Sequence, residues 1–312
     1  MTYSHLFGPV SSRRLGRSLG IDLVPFKTCT YNCVYCECGA TTDLTTERNV
    51  FFPVEEIKSE LVDFLAGSPP LDFLTLSGSG EPTISLSIGE VIRFLKKHYP
   101  AYQVAVLTNG SLLSDPAVRR DLQPVDVVLP TLTSISEPTF RKIHRPAPEI
   151  SLEKVLWGLV QFRKEYSGEI WLEVFIVPGV NTSDEELLGI RHLLREITPD
   201  QVQLNTLDRP GTEDWVIPAN KEELGRVLDI LDYPSVELIP LPQYPTLGSP
   251  NTDDSMELVS SMIRRRPCTI DDIVAATGLH QGEINKILRV LAETHDLHTK
   301  REDRGIFYYL RN

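Results

Sequence analysis

Between residues 21 and 207 the chain repeats one arrangement: a short apolar run, a polar or glycine-rich turn, then an amphipathic stretch. The apolar runs fall at 21–24, 71–76, 104–107, 125–129, 170–177 and 201–204, with helical stretches between them at 53–66, 88–98, 115–122, 151–166 and from 184 onward. Pro53-Val54-Glu55-Glu56 opens the first helix and Gly67 and Pro69-Pro70 stop it. Thr182-Ser183-Asp184-Glu185-Glu186 opens the last with an acidic turn, which the helix dipole favours. Strand and helix alternating six times predict parallel β/α units, hence an α/β chain folded as a partial (β/α)6, TIM-like barrel. Such barrels carry their functional residues at the C-terminal ends of the strands. Here those ends read Ser77-Gly78-Ser79-Gly80-Glu81-Pro82-Thr83, Thr108-Asn109-Gly110, Pro130-Thr131-Leu132-Thr133, Pro178-Gly179-Val180-Asn181 and Asn205-Thr206-Leu207.

The turn after the first run holds Cys29-Thr30-Tyr31-Asn32-Cys33-Val34-Tyr35-Cys36, three cysteines at spacing C-x3-C-x2-C. A chain leaving a strand and turning tightly aims three thiolates toward one place, which suits an iron–sulfur cluster or a soft metal. A closed zinc site needs a fourth protein ligand, which a His or Cys38 would supply. Unrelated buried thiols are the remaining alternative. Five cysteines among 312 residues, an odd and sparse number, give no disulfide framework.

The C-x3-C-x2-C spacing, with Tyr35 just before the last cysteine, resembles the radical S-adenosylmethionine (SAM) superfamily. The resemblance implies that Cys29, Cys33 and Cys36 hold a 4Fe–4S cluster whose fourth iron binds the amine and carboxylate of SAM. It implies reductive cleavage of SAM to methionine and a 5′-deoxyadenosyl radical, which takes a hydrogen atom from substrate, with an external electron donor of ferredoxin or flavodoxin type. The segment Gly78-Ser79-Gly80-Glu81-Pro82 stands where the family places its contact with the SAM amine, with Ser79 separating the two glycines. By the same resemblance Asn109, Thr131, Thr133, Val180 and Asn181 face SAM, and Tyr35 either stacks near the adenine or packs against the barrel. On residues alone, Gly78–Pro82 is also a β-to-α turn and Asn181 also an Asn turn. Segments 8–16 and 140–146 resemble a branch grouped with wyosine-type tRNA-modifying enzymes and the molybdenum-cofactor enzyme that rearranges GTP.

Two basic groups are substrate candidates. Residues 1–20 are polar, and Arg13, Arg14 and Arg17 come close together there, a cluster able to grip a phosphate or carboxylate and equally part of a solvated N-terminal arm. Arg141, Lys142, His144 and Arg145 put four basic side chains into five residues beside the barrel mouth, which suits an anionic substrate and equally a solvated helix end. The net charge of −12 argues against an extended nucleic-acid coat. No apolar run reaches 18 residues, and the first residues lack a signal-peptide layout, so the expectation is a cytoplasmic protein without a membrane partner.

The domain reading is a catalytic barrel at 1–233, a proline-rich linker at 234–252 and a winged helix-turn-helix at 253–312. In the last unit, helices at 256–265, 270–277 and 281–293 precede a hairpin at 297–300 and 305–310. It holds nine Lys/Arg against ten Asp/Glu. A DNA reader carries a net basic face, so this unit reads first as a dock for a tRNA, a peptide or another protein. The alternative is an iron–sulfur redox sensor regulating transcription through the winged helix; the glycine-rich strand ends argue against it.

Overall fold

The computed structural model describes residues 3–239, 255–294 and 296–310. The chain runs through β1 (Leu6–Ser12), β2 (Gly16–Ile21), two short strands β3 (Thr28–Cys29) and β4 (Asp43–Leu44), α1 (Val54–Leu65) and β5 (Phe73–Leu76). It continues through α2 (Ile88–His98), β6 (Gln103–Thr108), α3 (Pro116–Leu122), β7 (Val127–Leu132), α4 (Glu137–His144), α5 (Leu152–Glu165) and β8 (Glu169–Ile176). Then come α6 (Asp184–Ile197), β9 (Gln201–Thr206), α7 (Lys221–Leu231) and β10 (Val236–Leu238). An eight-stranded sheet takes the order β1-β2-β5-β6-β7-β8-β9-β10. All its pairings are parallel except β1 with β2. The edges β1 and β10 do not pair, so the sheet stays open, as a partial barrel does.

Three expectations are corrected. The first parallel strand is 16–21, not 21–24, and residues 6–12 form an antiparallel edge strand rather than a solvated arm. The inward positions of β2 are Ser18 and Gly20, so it lacks the continuous apolar run of its neighbours. Gly20 faces Phe7 across the pair, and the Phe7 ring lies where a side chain at 20 would go. At the other edge, β10 pairs with β9 inside the segment assigned to the linker; the barrel therefore runs past 233, and the linker's remainder, 240–252, lies outside the described residues. Third, 137–144 is a helix of its own, with Arg145 as its left-handed cap.

The main core lies between the sheet's outer face and the helices. Alternate residues of β8 (Ile170, Leu172, Val174, Ile176) and of β6 (Val104, Val106) belong to it. The inner face carries a separate apolar layer of Leu15, Phe73, Ala105, Val127 and Leu129. Beyond that layer, toward the strand C-termini, inward positions turn polar: Thr75, Thr131, Glu173 and Asn205. Helix starts are fixed locally; Ser183 caps α6 and Asn220 closes a capping box on α7.

The last unit comprises α8 (Ser255–Arg265), α9 (Ile270–Thr277), α10 (Gln281–Thr294) and a hairpin of β11 (Leu297–Glu302) with β12 (Gly305–Leu310). Val259, Ile263, Ile273, Ile284, Leu288 and Leu310 form its own core. It docks on the β1 edge of the barrel and on the loop after β9. At one edge Arg265 pairs with Asp22 at 2.6 Å and lies over the Phe7 ring at 3.9 Å. Beyond β9, buried Arg209 pairs with buried Asp272 and donates to the Pro267 carbonyl at 2.9 Å. Arg304, between the hairpin strands, donates to Asp208 at 2.7 Å and Asp272 at 2.6 Å. Among the described residues no helix is long and apolar enough to cross a membrane.

Candidate cofactor site

The cysteine loop leaves β3 and is laced to the end of α4. Asn32 N–H donates to the His144 carbonyl at 2.9 Å and Val34 N–H to Ile143 at 2.9 Å. The Cys36 N–H turns back onto the Cys33 carbonyl at 3.2 Å. Thr212, beyond β9, holds the Cys36 carbonyl through its hydroxyl at 3.2 Å.

Each of the three sulfurs is met by a side-chain nitrogen. Asn109 Nδ2 lies 3.7 Å from Cys29 Sγ, His144 Nδ1 3.1 Å from Cys33 Sγ, and Lys27 Nζ 3.1 Å from Cys36 Sγ. Burial pushes the Cys29 thiol up to about 12 and the Cys33 thiol well above its usual value. The Cys36 thiol goes the other way, down to about 5, under a hydrogen bond from Cys38 and the nearby Lys27 charge. For Lys27, burial is the largest effect and opposes the charged form, but Cys36, Cys38 and Cys29 together outweigh it and the ammonium pKa rises. Among the described residues no three His, Cys, Asp or Glu side chains converge as ligands of one metal ion. A cubane cluster takes each cysteine on a different iron, so its thiolates stand further apart than ligands of a single ion. The donor set, three thiols on a loop with a side-chain nitrogen beside each, fits a cluster.

Glu81 anchors the neighbouring strand end and is buried. Its Oε1 accepts from Thr83 N–H at 3.0 Å, Thr83 Oγ1 at 2.6 Å and Thr108 Oγ1 at 2.7 Å. Its Oε2 accepts from Asn109 N–H at 2.7 Å. Burial raises the Glu81 carboxyl pKa, against these bonds, which favour the anion. A Cβ on Gly80 would strike the Thr28 carbonyl, and one on Gly78 (φ +145°) would strike Asp22. These glycines therefore first let this loop press against the segment that leads into Cys29. Ser79 Oγ and Ser134 Oγ are buried here without a partner.

The remaining sequence candidates separate into three groups. Tyr35 stacks on Phe175 at 3.9 Å between ring centroids, beside the cysteines. Thr133 is buried and its Oγ1 lies 2.6 Å from His144 Nε2. Thr131, deeper in the barrel, donates to Glu173 Oε2 at 2.9 Å. Val180 lies in the loop after β8, where Asn181 is fully buried. The Asn181 amide donates to the Thr133 and Phe175 carbonyls and accepts from Val177 N–H, all at 2.8 Å, so it works as a loop brace.

The basic substrate candidates are mostly redirected. His144 is buried between Cys33 and Thr133, and burial lowers its pKa to about 3, so it is a neutral ring within the cysteine site and not a cation for substrate. Arg145 caps α4 and pairs with Glu213 at 2.5 Å, at the surface. Arg13 pairs with Asp208 at 3.7 Å in the network that holds the last unit. Arg14 does face the barrel interior, donating to Glu173 Oε1 at 3.0 Å, where Asn205 also donates at 2.9 Å.

Lys27 and Glu173 were missed by the sequence analysis. Glu173 had a signal: it is the carboxylate in the middle of an otherwise apolar strand, IWLEVFI. Lys27 stands two residues before Cys29 with nothing in the sequence to mark it.

Comparison with known proteins adds the lineage. Residues 23–190 match the family model described as the Radical SAM superfamily. The chain is 30% identical over 317 residues to UPF0026 protein MJ1312 of Methanocaldococcus jannaschii, spanning 98% of this chain and 95% of that protein. It is 35% identical over 290 residues to a protein named GTPase Obg of Brachyspira hyodysenteriae, spanning 93% of this chain but only 42% of that protein. Among solved structures it resembles TYW1 with a lysine-pyruvate adduct bound, with a TM-score of 0.51, 17% identity, and coverage of 78% of this chain and 79% of that one.

Proposed function

This chain belongs to the radical SAM superfamily and, within it, to the UPF0026 proteins, and from that premise we propose that Cys29, Cys33 and Cys36 hold its 4Fe–4S cluster and that the strand ends from Gly78 to Asn181 hold SAM. The chain is an enzyme whose cofactors are a 4Fe–4S cluster and SAM, and it needs an external electron donor. When bound, the two cofactors supply a 5′-deoxyadenosyl radical that abstracts a hydrogen atom from substrate.

Asn109 carries this assignment. Its backbone N–H holds Glu81 Oε2 and its side-chain amide reaches Cys29 and Thr30, so one residue links the glycine-rich strand end to the cysteine loop. Glu81 Oε1 is occupied by three donors while Oε2 has one, which leaves Oε2 as the acceptor for the SAM ammonium. Gly78 and Gly80 bring that carboxylate to the cysteines. Tyr35, Thr133 and Val180 border the space for the nucleoside, and Asn181 shapes the loop that carries Val180. Beyond them, Arg14, Glu173, Thr131 and Asn205 form a polar inner wall. That wall fits a polar substrate with an anionic group for Arg14 and a donor for Glu173, such as a peptide terminus or a small acid.

The last unit, which we assign as a winged helix-turn-helix, keeps two basic residues of its hairpin, Lys300 and Arg304, against barrel carboxylates and leaves Arg301 exposed. A tRNA, peptide or protein partner would meet α10, where Asn285, Lys286 and Arg289 are exposed, together with Arg301 of the hairpin. No observation favours the regulator alternative.

The test is anaerobic reconstitution with iron and sulfide, then dithionite and SAM, with 5′-deoxyadenosine as the readout. We expect cysteine-dependent product, lost in Cys33→Ala. Failure of the wild-type chain to take up a cluster or to bind SAM sinks the proposal.

A further inference from the structure

We infer that Lys27 is a tuning residue for the cluster, a buried positive charge set against one cysteine sulfur so that the cluster accepts its electron at a less negative potential. The inference rests on the assignment of Cys29, Cys33 and Cys36 as cluster ligands and goes beyond it.

Three observations carry it. Lys27 is buried, 3% exposed, so water does not screen its head group. Its Nζ lies 3.1 Å from Cys36 Sγ, a hydrogen-bond distance for sulfur. It also differs in kind from the other two nitrogens in the ring. Asn109 is a neutral amide. His144 is a neutral imidazole whose Nε2 sits 2.6 Å from the Thr133 hydroxyl. With Cys33 a thiolate, Nδ1 must carry the His144 proton and Nε2 must accept from Thr133. Thus the side-chain donors at Cys29 and Cys33 are neutral, and Cys36 alone has a full charge at hydrogen-bond distance.

The backbone keeps that charge in place. Lys27 is left-handed at φ +61°, its N–H donates to the Ser79 carbonyl at 3.0 Å, and its own carbonyl accepts from Thr42 and Asp43 at 3.1 and 3.2 Å. A side chain with considerable rotamer freedom is therefore launched from a backbone tied at both ends, between the glycine-rich strand end and the cysteine loop.

The direction of the effect follows from charge. One electron from the external donor enters the oxidised cluster, taking it from the 2+ to the 1+ state with no bond made or broken. The reduced cluster with its thiolates is more negative by one charge, so a fixed cation stabilises it more than the oxidised form. Net charge and hydrogen bonds to the sulfurs are the protein's ordinary means of setting such potentials.

The experiment is a potentiometric titration of the reconstituted full chain, followed by electron paramagnetic resonance of the reduced cluster, with iron and sulfide content measured on every sample. Lys27→Met removes the charge and keeps the length of the stem; Lys27→Arg keeps the charge. At the wild-type midpoint, the ratio of reduced to oxidised cluster should fall at least tenfold in Lys27→Met, a shift of about 59 mV for a one-electron couple. In Lys27→Arg it should stay within threefold of wild type. An unchanged ratio in a fully loaded Lys27→Met overturns the inference. If Lys27→Met takes up no cluster, Lys27→Gln is read by the same criterion. Loss of cluster from both, with Lys27→Arg loaded, also overturns it, because the lysine would then serve assembly and not potential. A wild-type chain that holds no cluster would instead refute the ligand assignment.

Discussion

Arg209, in the loop after β9, and Asp272, in the first turn of α9, form an ion pair in which both side chains are nearly closed off from water. Asp272 also caps α9 through Thr269 and accepts from Arg304 at 2.6 Å, so one carboxylate serves a helix start and two guanidiniums. Removing Asp272 leaves Arg209 with the more distant carboxylates of Glu37 at 3.5 Å and Asp208 at 3.9 Å, so the cost is about 1–3 kcal/mol, below that of a buried charge left unpaired. Asp272→Ala should destabilise the full chain by that amount in urea unfolding. It should also raise hydrogen exchange in α9 and in the hairpin before it does so in β6 or β7. Equal exchange in all of these segments would show that the pair does not hold the docked unit.

Glu81 should matter to ligand and fold together. Glu81→Ala leaves the N–H groups of Thr83 and Asn109 and the Thr108 hydroxyl without their acceptor. Buried unsatisfied groups cost about 1–3 kcal/mol each. We expect a lower unfolding midpoint and, in cluster-loaded protein, at least a tenfold rise in the dissociation constant for SAM by equilibrium dialysis. SAM affinity equal to wild type would remove Glu81 from the ligand site.

Gly80→Ala addresses the close approach of the two loops. The new methyl meets the backbone carbonyl of Thr28, which cannot swing aside as a side chain would. Overpacking of this kind costs about 1–3 kcal/mol, and the backbone that must yield leads directly into Cys29. Iron content after reconstitution should fall below that of Gly225→Ala in α7, where a methyl meets nothing within 4 Å. Equal iron uptake by the two variants would contradict this.

Arg14 and Glu173 form the fourth test. Glu173→Leu strands the Arg14 guanidinium on the inner wall and should cost about 3–5 kcal/mol. The double variant Arg14→Met with Glu173→Leu should recover part of that loss, so that a double-mutant cycle gives a coupling of about 1–3 kcal/mol. Strict additivity would mean that the two side chains do not stabilise one another.

How much of this was legible depended on how local the cause was. Strands β5 to β8 were found because strands covered by helices are apolar almost throughout. Strand β2 was misplaced because its inner face is Ser18 and Gly20, and the filler for Gly20 is Phe7 on another strand. Strand β10 is three residues long at an edge, with its Glu and Leu exposed, and no periodicity survives in so short a piece. The cysteines and Glu81 stood out because their spacing is written in consecutive residues. What surrounds them did not stand out. His144 meets Cys33 from 111 residues away and Arg14 meets Glu173 from 159 away. The basic cluster at 141–145 looked like a single patch, but the helix turns His144 inward and Arg145 outward, and only burial separates a neutral ring from a surface cation.

The contact between Arg265 and Asp22 joins residues 243 positions apart. On a ribosome, every strand of the sheet emerges before α8 exists. At roughly 5–20 residues per second, the stretch from β10 to the end of β12 takes roughly 4–14 seconds to synthesise. During that interval the edge strand β1 and the loop carrying Asp208 and Arg209 await the unit that bridges them, and Arg266, whose charge later acts on Cys38, is still being added. The order of synthesis thus leaves the carboxylates of Asp22 and Asp208 without their Arg265 and Arg304 partners for that interval.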